Sequence, residues 1–411
     1  MHSPSESSLE RYRFELSFPE RELRELRRRL IATNWPGDSD NADWRYGVNQ
    51  SYLKELVNYW LTDFDWRSVE QQINTYSHYR VPIDGIPIHF LYKKGIGNKT
   101  IPIILTHGWP WSFWDMQRVI GQLTDPAAYG FSSDDAFDVI VPSLPGYGFS
   151  NPAPAGINFW RTADLWQKLM TEILGYARYA ASGGDWGALV TSQLGHKYAR
   201  SLYGIHLMHT MALDQFNNDR PWDVLASHKV AENTPPEIRR QSLDRMKVFA
   251  SHYAVHILDP QTLAYGLQDS PTGLLAWLLE RWRSWAQLEN QDLESVFSRE
   301  HMITNAMLYY MTGTVASSMR FYADSVRYPW QPSHAGLPIV QAPTGITFLG
   351  GENPAGVSTA QRIEAFKNGP KAGWYNLHYL EAHQKGGHFG YHENPQAVIG
   401  DIQKTFAHLR D

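Results

Sequence analysis

The 411-residue chain has no cysteine. That removes disulfides, thiolate metal sites and cysteine nucleophiles, and it fits a reducing compartment. No apolar run approaches the roughly 18 residues that a membrane-spanning helix needs. Charge of one sign is also scarce: 37 Lys and Arg stand against 42 Asp and Glu, a net charge of -5. With acids and bases interspersed, the surface offers no basic face to nucleic acid or an anionic membrane. Residues 1–10 lack the basic and apolar stretches of a secretory leader, so a soluble, cytoplasmic protein is expected. No internal repeat, low-complexity tract or Gly-x-Ser-x-Gly turn occurs, and the last absence argues against a serine esterase. What the chain has in excess is aromatic: 16 Trp, 22 Tyr and 17 Phe. Such content suits a large core and an aromatic-lined pocket.

One stretch organises the rest. The apolar run Tyr179, Ala180, Ala181 enters Gly183-Gly184-Asp185-Trp186-Gly187, and a helix-like segment over 188–194 leaves it. Glycines two residues either side of a reactive side chain permit the sharp strand-to-helix turn of a nucleophile elbow. The usual occupant is Ser; here it is Asp185. A carboxylate nucleophile attacks a saturated carbon bearing a leaving group and makes an alkyl ester. The bland alternative is an ordinary turn or helix N-cap.

Around this elbow the pattern predicts an α/β protein. Residues 11–18 alternate like a strand, and 19–30, 52–63 and 66–76 read as amphipathic helices. Two strands follow around Asp84-Gly85. The core opens with the apolar run 100–106, then a helix near 113–123, a strand over 137–141, a helix over 161–174 and a strand near 203–209. From about 213 to 335 the reading is all helix, broken at 235–236, 259–260 and 270–271 by prolines. Strands resume at 345–349 and 374–381, and a helix closes the chain over 396–409. The expected organisation is a wrapping N-terminal segment (1–95), a core in two parts (96–212 and 336–411) and a helical cap (213–335).

An alkyl ester turns over only if water is activated by a base oriented by a third group. His388, in Gly386-Gly387-His388-Phe389 after the last predicted strand, is the candidate base. Glu352, 36 residues earlier in Gly350-Gly351-Glu352-Asn353, is the favoured acid, with Asp214 as its rival. The backbone N–H groups of Trp109 and Trp186 occupy the positions where this type of sheet supplies an oxyanion hole. His107 reads as a turn residue. No clustered metal-ligand motif is seen, and no cofactor is expected.

Together, His107-Gly108-Trp109-Pro110, Gly183-Gly184-Asp185-Trp186-Gly187 and Gly386-Gly387-His388-Phe389 resemble the α/β-hydrolase-fold epoxide hydrolases of the microsomal and juvenile-hormone type. The similarity extends along nearly the whole chain, including an N-terminal meander through Phe64-Asp65-Trp66 and cap motifs at Asp269-Ser270-Pro271 and Arg320-Phe321-Tyr322. The resemblance implies cofactor-independent hydrolysis of an epoxide to a vicinal diol through an ester on Asp185. It carries over His388 as base, Glu352 as acid, and Tyr253 and Tyr322 as donors to the epoxide oxygen. Three departures stand out. Trp111 replaces a usual small residue and is expected to shape the substrate pocket with Trp186 and the two tyrosines. The final motif runs Phe389-Gly390-Tyr391-His392-Glu393, and the span from Glu352 to His388 is long. A membrane anchor like that of the microsomal enzymes is not seen. A bulky apolar or aromatic epoxide and water are the expected partners, with a homodimer left open. A dehalogenase using the same Asp, or an inactive binding protein, are the alternatives.

Overall fold

Apolar residues at helical spacing on a charged background bury one stripe and leave the rest in water. Helix α1 (Glu20–Ile31) does this, burying Leu26 and Leu30. Before it, the strand expected over 11–18 shrinks to β1 (Arg13–Phe14), because Glu10–Tyr12 forms a 3₁₀ turn. The N–H groups of Leu16 and Phe18 bond the side chains of Asn74 and Glu70 instead of a neighbouring strand. Helices α2 (Gln50–Thr62) and α3 (Trp66–Ile73) are capped by the Asn49 and Asp65 side chains. Strands β2 (Ser77–Ile83) and β3 (Ile86–Lys93) pair across Asp84 and Gly85, both at positive φ, as a tight hairpin requires.

The computed structural model describes residues 9–223 and 233–410. Residues 1–8 of the segment read for a leader, and 224–232 of the expected helical stretch, lie outside the described residues. The core runs β4 (Ile101–Thr106), α4 (Gln117–Thr124), β5 (Phe137–Pro142), α5 (Phe159–Lys168), β6 (Tyr179–Gly183), α6 (Trp186–Lys197) and β7 (Leu202–Leu207). Between β7 and β8 the described residues form helices α7 (Pro236–Leu258), α8 (Pro260–Asp269), α9 (Pro271–Trp285), α10 (Arg299–Met311) and α11 (Val315–Arg327). The prolines expected as breaks sit at the first positions of α7, α8 and α9, where the missing N–H has no helical partner to lose. Strand β8 (Val340–Leu349), helix α12 (Thr359–Asn368), strand β9 (Tyr375–His383) and helices α13 (Gly390–Glu393) and α14 (Pro395–Phe406) complete the chain.

The nine strands of the described residues join one sheet in the order β1-β2-β3-β5-β4-β6-β7-β8-β9. Pairing is antiparallel from β1 to β5 and parallel from β5 to β9. Strands β4, β5 and β7 are buried at every position, as expected of a parallel sheet covered on both faces. Helices α4 and α14 pack as one layer, α5 and α6 as another. The sheet therefore delivers the ends of β4, β6, β7, β8 and β9 to one rim, beneath the helices inserted after β7.

The turn from β6 into α6 leaves no room for a side chain at Gly187, where a Cβ would strike the Thr106 carbonyl of β4. Gly187→Ala is expected to destabilise the fold by about 3 kcal/mol, read as a lowered urea midpoint. A Cβ at Gly266 in α8 would meet no atom within 4 Å beyond its own helix among the described residues. Gly266→Ala is expected to stabilise the fold by up to about 1 kcal/mol, read as a raised midpoint.

Candidate active site

Asp185 sits between β6 and α6 with φ 52° and ψ −126°. A residue with a Cβ resists that backbone, so the surrounding packing must hold it, as in a nucleophile elbow. Its carboxylate Oδ1 accepts the Trp109 N–H at 2.9 Å. The Trp186 N–H also points at the carboxylate. Its own N–H donates to Nδ1 of His209 at 2.8 Å. His107 stays out of this centre: its Nε2 accepts the Leu144 N–H at 3.0 Å and steadies the loop after β5.

His388 follows β9. Its N–H donates to the Trp285 carbonyl at 3.1 Å, the Gly386 N–H to Gln287 Oε1 at 2.6 Å, and the Phe389 N–H to Glu393 Oε1 at 2.8 Å. Glu393 Oε2 in turn accepts the Gln287 N–H at 2.8 Å. This lattice ties the histidine loop to the end of α9. His388 Nε2 lies 3.4 Å from Asp185 Oδ2, and Nδ1 lies 3.7 Å from Glu352 Oε1. Both separations are long for hydrogen bonds but close enough for the charges to interact strongly. The sheet thus brings Glu352, and not the exposed Asp214, to the imidazole.

Charge is shared tightly here. Burial alone would lower the His388 pKa, but Asp185 and Glu352 on either side raise it to about 9. Burial would raise both carboxyls; His388 outweighs it and holds each below the usual carboxylate range. Arg245 of α7 stands 3.5 Å from the same Glu352 oxygen that faces His388. Arg362 of α12 donates to the Leu349 carbonyl and to Asn353 Oδ1, each at 3.1 Å, and its charge adds to the field at Glu352. The long span between Glu352 and His388 therefore supplies a cation that sequence reading passed over.

Tyr253 from α7 and Tyr322 from α11 stand with ring centroids 6.0 Å apart, edge to face. Both line a cavity of about 320 Å³ together with Asp185, Trp186, His209, Phe216, Trp285, Glu352 and His388. Burial, reinforced by the Asp185 charge, pushes both phenols well above their ordinary range, so they stay protonated as hydrogen-bond donors. Trp111 departs from expectation. It is not part of the cavity wall but lies behind the histidine, 5.7 Å from the His388 ring and 5.5 Å from Phe389. Its indole fills the space beside Gly184, where a Cβ would meet it at 2.9 Å. A larger groove of about 720 Å³ opens between the N-terminal segment and α9, away from Asp185 and His388.

Sequence reading also missed His209, Arg245, Gln287 and Glu393. Only Glu393 carried a signal, as part of the departing final motif. Among the described residues two groups of side chains lie close enough to share a cation: Asp115, His301 and His392, and His209, Glu352 and His388. In the first, Asp115 already accepts the Ser112 N–H at 2.7 Å and stands 3.1 Å from His301 Nε2, a polar tie between the core and α10. The second is the site just described.

Known proteins match this arrangement along most of its length. A family model described as the epoxide hydrolase N terminus matches residues 11–116, and one described as the alpha/beta hydrolase fold matches 101–312. A putative epoxide hydrolase of Stigmatella aurantiaca is 37% identical over 406 residues, 97% of this chain and 85% of that one. The chain belongs to the epoxide hydrolase family. Epoxide hydrolase 1 of Oryctolagus cuniculus is 30% identical to it over 410 residues, covering 95% of this chain and 87% of that protein. The crystal structure of juvenile hormone epoxide hydrolase from Bombyx mori superposes with a TM-score of 0.74 at 26% identity, over 97% of this chain and 94% of the other. The enzyme has the α/β-hydrolase fold, and among its described residues no helix is long and apolar enough to cross a membrane.

A histidine held near pH 9 in the folded state, against 6.5 free, adds stability that is complete below 6.5 and lost as pH rises through 9. NMR titration of the His388 imidazole is expected to show this raised midpoint. Asp185→Asn removes one of the two anions and is expected to move the midpoint down.

Proposed function

We propose that this epoxide hydrolase works through Asp185, His388, Glu352, Tyr253 and Tyr322. The observation that carries the reading is one cavity walled by Asp185, held at positive φ, and by two phenols, Tyr253 and Tyr322. Asp185 Oδ2 attacks the less hindered or better activated epoxide carbon. The ring C–O bond breaks and its electron pair goes to the epoxide oxygen, which Tyr253 and Tyr322 hold by O–H donation. Oδ1 remains on the Trp109 and Trp186 N–H groups and becomes the ester carbonyl oxygen.

Forming the ester removes the Asp185 charge. Half of the anionic support for the His388 imidazolium vanishes, and its pKa falls towards the ordinary histidine value. The proton it releases ends on the epoxide oxygen by way of the tyrosine hydroxyls. His388 is now a neutral base, oriented by Glu352. In the second half-reaction a water oxygen bonds to Cγ of Asp185 and one water proton goes to His388 Nε2. Negative charge gathers on Oδ1, between the two backbone donors. Collapse breaks the bond between Cγ and the alkyl oxygen, which leaves with the second proton as the diol. Asp185 carboxylate and His388 imidazolium are restored.

The wall of Trp186, Phe216, Tyr253 and Trp285 favours an apolar or aromatic epoxide. A cysteine-free composition supports a cytoplasmic setting.

His388→Gln should let the ester form but not break. After incubation with epoxides, intact-protein mass is expected to rise by the whole epoxide, with the adduct on Asp185. An adduct from alkyl halides alone, lighter by HX, would overturn the reading in favour of dehalogenation. Tyr253→Phe and Tyr322→Phe each remove a hydrogen bond to developing charge, about 1.5–3 kcal/mol. Each is expected to lower the alkylation rate constant roughly 10- to 100-fold in rapid-mixing experiments, leaving ester hydrolysis nearly unchanged.

A further inference from the structure

His209 lies two residues past the end of β7, where Met208 N–H donates to the Gly183 carbonyl at 3.1 Å. The sheet that fixes the elbow therefore fixes this side chain as well. Its Nδ1 accepts the Asp185 N–H at 2.8 Å. A neutral ring whose Nδ1 accepts must carry its proton on Nε2. Burial, together with the adjacent His388 charge, lowers the ring pKa to about 4, so the neutral form prevails at working pH. That Nε2–H is buried and has no partner among the described residues. The residue lines the same cavity as Asp185, and its ring centroid is 4.5 Å from that of His388. One ring nitrogen each of His209 and His388 and one oxygen of Glu352 lie within 4.8 Å of one another.

We propose that His209 is a second imidazole for the hydrolytic half-reaction, its Nε2–H holding the attacking water against His388 while Nδ1 anchors the Asp185 backbone. An attacking water gives one proton to His388 Nε2 and directs one lone pair at Cγ of the ester. Its second lone pair needs a donor that is not itself a base, and His209 Nε2–H supplies it. Alkylation needs no water, so this donor acts after the ester forms. The inference rests on the ester mechanism above.

The two roles of the ring can be separated. An Asn amide reaches the position of Nδ1 and a Gln amide that of Nε2. His209→Asn keeps an acceptor for the Asp185 N–H and loses the donor into the cavity; His209→Gln keeps the donor. Single-turnover kinetics with an epoxide that alkylates Asp185 reads both steps. His209→Asn is expected to alkylate within about threefold of the parent and to hydrolyse roughly 10- to 100-fold more slowly, so that ester accumulates and kcat and KM fall together. His209→Gln is expected to hydrolyse faster than His209→Asn. Parent-like hydrolysis in His209→Asn, equal loss in both steps, or no recovery in His209→Gln overturns the proposal, because a merely structural role predicts one of these. Absence of any ester in the His388→Gln trap would instead sink the underlying mechanism, and this inference with it.

Discussion

Burial strips water from Asp185, Glu352 and His388 together, and buried ionisable groups keep their charges only by compensating one another. Two carboxylates around one imidazolium leave one negative charge over, and Arg245 and Arg362 close in on the Glu352 side. The compensation is asymmetric by construction. Glu352 has cations on several sides, whereas Asp185 has His388 and two backbone N–H groups. On the proposed mechanism the carboxylate that reacts is the one with fewer compensating groups around it. On that mechanism a single covalent event converts the ring from cation to base, with no moving part required.

Holding such a cluster demands rigidity from several directions. The parallel strands present their ends at one rim, yet none of the strand ends alone orients His388. The loop carrying it is pinned through Trp285, Gln287 and Glu393, so that the inserted helices help position the base as well as cover it. Glu393 illustrates the strain of this arrangement: burial raises its carboxyl to about pH 7 even though two backbone N–H groups donate to it.

Much of this was legible in the sequence because it is written in local pattern. The apolar run at 101–106, the glycines around Asp185 and the pair before His388 each force one backbone geometry. The helical character of 236–327 follows from periodicity, and prolines read as breaks proved to be first-turn residues. What was not legible depends on contacts distant in sequence. The strand at 11–18 lost its partners to the Asn74 and Glu70 side chains. Trp111 reads as a pocket residue by position, but the open space at Gly184 draws its indole behind the relay. His209 and Arg362 lie in otherwise ordinary stretches, and only the sheet order reveals that they face the same carboxylate.

The lattice of Trp285, Gln287, Gly386 and Glu393 also has a bearing on modularity. Inserted helices are often treated as interchangeable lids, grafted between relatives to alter what a core accepts. Here the Trp285 carbonyl and the Gln287 side-chain oxygen accept from backbone N–H groups of the histidine loop. The exchangeable unit is therefore discontinuous: the end of α9 and the segment 386–393 must travel together, or the graft arrives with its base unmoored.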